Sequence, residues 1–259
     1  MELIDSHCHL DFTAFDPDRE AVLTRSAAAG VVAVVVPGTT AADWGRTAAV
    51  AAASPALHPA FGLHPLFMDQ HRPEADLDTL ASRLAQEGPG RAVAVGEIGL
   101  DLRAHGVDQA AQEALLDAQL ALAAERELPV IIHAVRAHHR LVGRLRRWKG
   151  PGGVIHAFNG SPEDAHAYID AGFRLGIGGL VTWPRNRRLR ALVAELPLRA
   201  LLLETDAPDM APADCPSSRN SPEYLPRILA EVAALRGEDE ATVAAATSAG
   251  ARMLFGLGD

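Results

Sequence analysis

The chain has 259 residues, of which 48% are hydrophobic and 22% charged, and its formal net charge is −9. That mix excludes a chain that stays disordered, and the negative balance excludes a broadly basic nucleic-acid surface, though not a local cationic site. Cys8 and Cys215 are too few for a disulfide scaffold, no apolar run nears the ~18 residues of a membrane span, and Glu2 and Asp5 stand where a secretory leader would be basic and then apolar, so the expected location is the cytoplasm.

Taken in chain order, short apolar segments rich in β-branched residues predict strands over 3–9, 31–37, 56–62, 92–99, 129–134, 153–158, 173–178 and 200–206. Between and after them, segments of helical period predict helices that include 108–125, 163–171, 186–195, 222–235 and 238–254. Stretches such as Val31 to Val36 are apolar at consecutive positions, so both faces must be covered, as in a parallel sheet clad by helices. Eight such units without linker or repeat predict an α/β protein, a single-domain TIM-type (β/α)8 barrel over 1–259. An open doubly wound sheet is the second choice, and no Gly-rich phosphate loop comes after the first strand to support it.

That first strand instead closes on His7-Cys8-His9. Alternation along a strand puts His7 and His9 on one face and Cys8, a packing residue, on the other. Polar residues also end other apolar strands: Glu97, His133, His156 and Asp206. Ionisable groups at such places are costly unless paired, and in a barrel the C-terminal strand ends share one mouth. Four imidazoles and two carboxylates suit divalent metals and exceed what one tetrahedral ion needs, so two ions (zinc, manganese or magnesium) are expected. Glu97 would bridge them, with His7 and His9 on one ion and His133 and His156 on the other. Asp206 would orient and deprotonate a water acidified by both. The competing reading, six separately satisfied core residues, requires six coincidences at strand ends.

His7-x-His9, GEIGLD at 96–101, IIH at 131–133, H-x-F-x-G-S at 156–161 and LLLETDAP at 201–208 resemble the TatD family of metal-dependent hydrolases, in the amidohydrolase superfamily. The resemblance spans nearly the whole chain and implies a TIM-type barrel, a binuclear metal site and phosphodiester hydrolysis of the deoxyribonuclease kind. Carried over by position, the implied ligands are His7, His9, Glu97, His133, His156 and Asp206. The chain departs from the family pattern at Val135, where Arg136 comes one place late, at Gly250, and in SSRNSP at 217–222.

His64, after the third strand, would donate to a phosphate oxygen or serve only the turn before Pro65. Arg136 and the group Arg185, Arg187 and Arg188 would bind phosphate in bidentate fashion, or the latter group would form only a solvated helix start. Asn159 would bind phosphate or close the turn before Ser161, a helix cap. Trp183 would stack a base or cover apolar surface. The expected substrate is DNA or another phosphodiester strand, single-stranded or short. A second reading keeps the site for a small molecule such as a lactone; a carboxylated-lysine bridge is excluded, since the one lysine, Lys149, lies at a helix end. A third, a non-catalytic metal-binding protein, would predict loss of Asp206.

Overall fold

The computed structural model describes residues 1–88, 90–103, 108–215, 217 and 219–258. Eight strands pair in parallel and in sequence order: β1 (Leu3–Asp5), β2 (Val31–Gly38), β3 (Leu57–Phe61), β4 (Ala94–Asp101), β5 (Val130–Val135), β6 (Gly153–Ile155), β7 (Phe173–Ile177) and β8 (Leu201–Leu203). The seam between β8 and β1 is closed beyond the strand ends. There the Ser6 N–H donates to Leu203 O at 3.0 Å, Asp206 N–H to His7 O at 2.9 Å, and His9 N–H to Ala207 O at 2.8 Å. The Asp5 carboxylate reinforces it by accepting from the Thr205 N–H at 2.9 Å and the Thr205 hydroxyl at 2.5 Å. The result is a single-domain TIM barrel, as the periodicity predicts.

Among the described residues the helices are α1 (Arg19–Ala28), α2 (Trp44–Ala52), α3 (Pro73–Leu84), α4 (Gln109–Glu125), α5 (His138–Leu145), α6 (Pro162–Asp170), α7 (Arg187–Glu195), α8 (Leu225–Arg236) and α9 (Glu240–Phe255). None is long and apolar enough to cross a membrane. Local chemistry sets their starts. Asp108 caps α4 by accepting from the Ala111 N–H, and Ser161 and Asp164 form a reciprocal capping box on α6. The expected helix over 222–235 is divided: Pro222–Tyr224 is a 3-10 turn and α8 begins at Leu225. Pro226 has no N–H to give the preceding turn, which suits only a first helical turn.

Two apolar layers hold the barrel. The larger lies between strands and helices, with Trp44, Phe61, Leu100, Leu116 and Tyr168 among its enclosed members. The smaller fills the barrel itself, where Ile4, Val35, Ala60, Ala94, Ile131, Val154 and Leu202 meet Ala251 and Phe255 of α9. The last helix therefore plugs the N-terminal end of the strands, and the opposite end is left for polar groups.

Three strands end earlier than their apolar runs suggest. β1 stops at Asp5, β6 at Ile155 and β8 at Leu203, so His7, His9, His156 and Asp206 stand on the first residues beyond the sheet. Backbone there turns inward. Ala157 and Asp206, like Arg136 after β5, adopt positive φ, at 45°, 56° and 56°. Strain of this kind persists only where the surroundings enforce it.

Candidate metal centre

Glu97 is the centre of the site. The β4–β5 register shifts between Val95 and Ile98, which turns Glu97 out of the regular pleat. Gly99 makes the close strand approach possible: at φ 149°, a Cβ there would stand 2.0 Å from His133 O. Each oxygen of the buried Glu97 carboxylate then faces its own set of imidazoles. Oε2 lies 3.2 Å from His7 Nε2 and 3.6 Å from His9 Nε2. Oε1 lies 2.6 Å from His133 Nδ1, 3.1 Å from His64 Nε2 and 3.9 Å from His156 Nε2. Asp206 straddles the same division, with Oδ1 at 3.7 Å from both His7 and His9 and Oδ2 at 3.5 Å from His156. His7 and His156 stack with ring centroids 3.5 Å apart.

The outward nitrogens show which ring atoms carry lone pairs into the site. His9 Nδ1–H donates to Pro37 O at 3.1 Å, leaving Nε2 free. His133 Nε2–H donates to Asp101 Oδ2 at 2.9 Å, leaving Nδ1, and Arg103 donates to both oxygens of that carboxylate. His156 Nδ1 lies 2.9 Å from Glu204 Oε1, though off the line of a hydrogen bond, which leaves Nε2 inward. Glu204 itself is fully buried and accepts from the Ala157 N–H. His64 is the opposite case. Its Nδ1 accepts from the Leu66 N–H at 3.0 Å, so the proton is on Nε2 and that atom is a donor. His71 donates to His64 O at 2.9 Å and fixes this turn.

His7 Nε2 and His9 Nε2 lie 3.3 Å apart and both face Glu97 Oε2, while the buried His7 Nδ1 on the far side of its ring has no hydrogen-bond partner among the described residues. That donor set fits a cation. Atoms of the ligating kinds lie within 4.8 Å of one another in three groups: His7, His9 and Glu97; His7, His156 and Asp206; and His64, Glu97 and His133, the last with His64 Nε2–H as a donor and not a ligand.

The charges respond to this crowding. Burial would raise the Glu97 carboxyl, but His64, His156, His7 and His133 outweigh it and hold it well below the usual range. Asp206 is lowered likewise, burial being outweighed by His156, His7 and His9. For His156, burial is overcome by Glu204, Asp206 and Glu97, and its pKa rises. Burial also opposes but does not prevent a rise at His9 and His133. At His7 and His64 burial wins and the pKa falls.

The substrate-side expectations fall in different places. His64 is within the cluster. Arg136 is exposed at the mouth and has no hydrogen bond or ion pair among the described residues. Asn159 is exposed, with its backbone carbonyl taken by Arg188. Cys8 is enclosed against Ala207 O and away from the imidazoles. Three contributors escaped sequence reasoning: Asp101, Glu204 and His71. The first two had a usable signal, since each is a second acid beside an assigned ligand at the end of an apolar strand.

The sequence matches the family described as TatD related DNase over residues 4–256. It is 41% identical over 255 residues to the uncharacterized metal-dependent hydrolase YjjV of Escherichia coli (strain K12), covering 98% of each chain. The crystal structure of that protein superposes with a TM-score of 0.94 over 99% of this chain and 98% of its own. A second relative, the 3'-5' ssDNA/RNA exonuclease TatD of Erwinia tasmaniensis, is 37% identical over 268 residues, covering 98% of this chain and 100% of its own. A hydrolase of the TatD family from Entamoeba histolytica shares the fold at a TM-score of 0.86 and 18% identity, covering 98% of each chain.

Proposed function

This chain belongs to the TatD family of metal-dependent hydrolases, and from that premise we propose that it hydrolyses phosphodiester bonds in single-stranded DNA or RNA, working from a strand end. The observation that carries the reading is the division at Glu97, whose two oxygens face separate imidazole sets. Two divalent ions would suit that division: His7, His9, Glu97 and Asp206 would hold one, and His133, His156 and Glu97 the other. When bound, such a pair supplies positive charge for the phosphoryl oxygens and lowers the pKa of water toward neutrality.

The chain's own groups do the rest. Asp206, kept ionised by its histidine neighbours, accepts the proton of the attacking water at its carboxylate. His64 Nε2–H, already committed as a donor, meets a non-bridging phosphoryl oxygen. Arg136, with no carboxylate to satisfy it, takes the phosphate beside the scissile one, and the Asn159 amide lies exposed on the next loop to donate to the same backbone. The mouth of a barrel admits a strand terminus more readily than the middle of a duplex, and the names of the TatD relatives specify exonucleases on single strands.

The test uses protein supplied with manganese, zinc or magnesium and offered end-labelled single-stranded DNA, the matching RNA, and a panel of lactones. Stepwise shortening of the strands is the expected result. Turnover of a lactone with no attack on either strand would refute it.

A further inference from the structure

The arginines around the mouth are not alike. Strand order equals chain order, so the loops after successive strands are neighbours around the rim. Near the loops after β8, β1 and β2, five arginines are neutralised. Arg19 and Arg46 both hold Asp16; Arg25 holds Glu223 at 2.6 Å, Arg219 holds Asp18 at 2.8 Å, and Arg227 holds Asp214. After β3 and β4, Arg72 holds Asp76 at 3.3 Å and Arg103 holds Asp101 at 2.5 Å. On the remaining arc, after β5 to β7, Arg136, Arg185, Arg187 and Arg188 have no carboxylate within 4.0 Å among the described residues. The nearby acid, Asp164, is committed to the cap of α6. Unpaired guanidinium groups gathered on one third of a rim are a field with no internal partner.

The same arc carries a fixed aromatic. The Trp183 indole N–H donates to Ala211 O at 3.1 Å, which locks the half-buried ring between the loops after β7 and β8. Those loops are in tight contact, since a Cβ on Gly179 would meet Met210 O at 2.0 Å. Met210 and Asp206 line one small cavity, so the loop that holds the indole N–H is the one that carries Asp206 of the candidate centre. The Arg185 guanidinium lies 4.3 Å above the Trp183 ring. A stacked arginine and tryptophan with an unneutralised cation beside them form a surface for one base and its phosphate.

We propose that the part of the strand not yet cleaved leaves the mouth over this arc, with a base stacked at Trp183 and Arg185 and its phosphates held by Arg185, Arg187 and Arg188. The proposal rests on the phosphodiesterase reading for its substrate class. It adds a direction across the rim and a length dependence: strands long enough to reach the arc bind more tightly than a dinucleotide.

Two measurements separate the failure of this proposal from failure of that reading. In the first, KM of the metal-loaded enzyme is compared for a dinucleotide and a twelve-nucleotide single strand, over a series of salt concentrations. The twelve-mer KM is expected to rise about 5- to 100-fold in Trp183→Ala, the scale of one stacked base. In a variant carrying Arg185→Ala with Arg187→Ala, the log–log salt slope should flatten by about 1.4, from ~0.7 for each of two phosphates. Arg227→Ala, on the neutralised arc, should leave both unchanged. In the second, quenching of tryptophan emission by the twelve-mer is followed without turnover; Trp44 is enclosed, Trp148 precedes β6 at the opposite end of the barrel with its N–H on Leu120 O, and the signal should vanish in Trp183→Phe. Cleavage with equal KM for both lengths, and no response to the arc variants, would overturn the proposal and leave the phosphodiesterase reading standing. Salt-dependent quenching without cleavage would do the reverse.

Discussion

The two ends of the barrel solve opposite problems with similar burial. At the N-terminal end, Ile4, Val35, Ile131, Val154 and Leu202 close around Ala251 and Phe255, and exclusion of water is the whole gain. At the C-terminal end, His7, His9, His64, Glu97 and His156 are as deeply buried, yet each is polar and must be repaid by a specific partner. Apolar packing tolerates exchange of shape for shape, whereas the polar end depends on which ring nitrogen faces which oxygen. Substitutions at the first end should therefore cost stability and spare the chemistry. At the second they should cost the chemistry first.

The sharpest break between the ends is Asp206→Asn. It keeps an oxygen near His7 and His9 and removes the proton acceptor, so kcat should fall by about 100-fold or more while bound metal is largely retained. Single-turnover assays beside metal analysis would check this; undiminished turnover would remove Asp206 from the mechanism. Glu204→Gln is the next step down. It leaves every inward atom in place and weakens the outward hold on His156, along with the acceptor for the Ala157 N–H, and a loss of about 10- to 100-fold in metal affinity is expected by competition with a chelator. No loss would show that His156 is oriented by its stack on His7 alone.

How far these groups were legible from sequence depends on what each one needs. The candidate ligands announced themselves because an ionisable residue ending an apolar strand has few reasons to be there. For His7 and His9 the alternation of a strand pointed to convergence, but the strand ends at Asp5 and it is the seam with β8 that brings the rings together. Asp101 and Glu204 are harder to read because each shares its strand end with another acid, Glu97 or Asp206, and a strand-end pattern alone marks one polar residue per strand. Asp101 lies four residues beyond Glu97, on the same face of β4, and a buried carboxylate at that place asks for a partner. The protonation of His64 was out of reach, since the Leu66 N–H that sets it depends on a turn whose geometry no spacing fixes.

At the apolar end, Phe255→Ala should cost about 3 to 5 kcal/mol in denaturant unfolding and leave metal content per folded chain unaltered. Metal loss without loss of stability would erase the contrast between the ends. The seam is expected to respond to pH. Burial, only partly offset by the Thr205 hydroxyl and N–H, raises the Asp5 carboxyl from 3.8 to about 7. Its contribution to stability is complete below 3.8 and lost as pH rises through about 7, since the folded state holds a proton that the unfolded chain releases. Asp5→Asn, neutral throughout, should gain on the parent by up to about 1.4 kcal/mol per pH unit across that window. Parallel unfolding curves at about pH 4.5 and 7.5, on either side of most of that window, would show it, and a constant difference between the two proteins would rule it out.

The division of imidazoles at Glu97 is tested most directly by counting metal. Parent protein and Glu97→Ala would each be equilibrated with excess zinc or manganese, freed of unbound ion, and analysed for metal per chain. About two ions in the parent, with marked loss in Glu97→Ala, is the predicted result. One ion in the parent at every excess, or two retained without the Glu97 carboxylate, would contradict a centre built around that bridge.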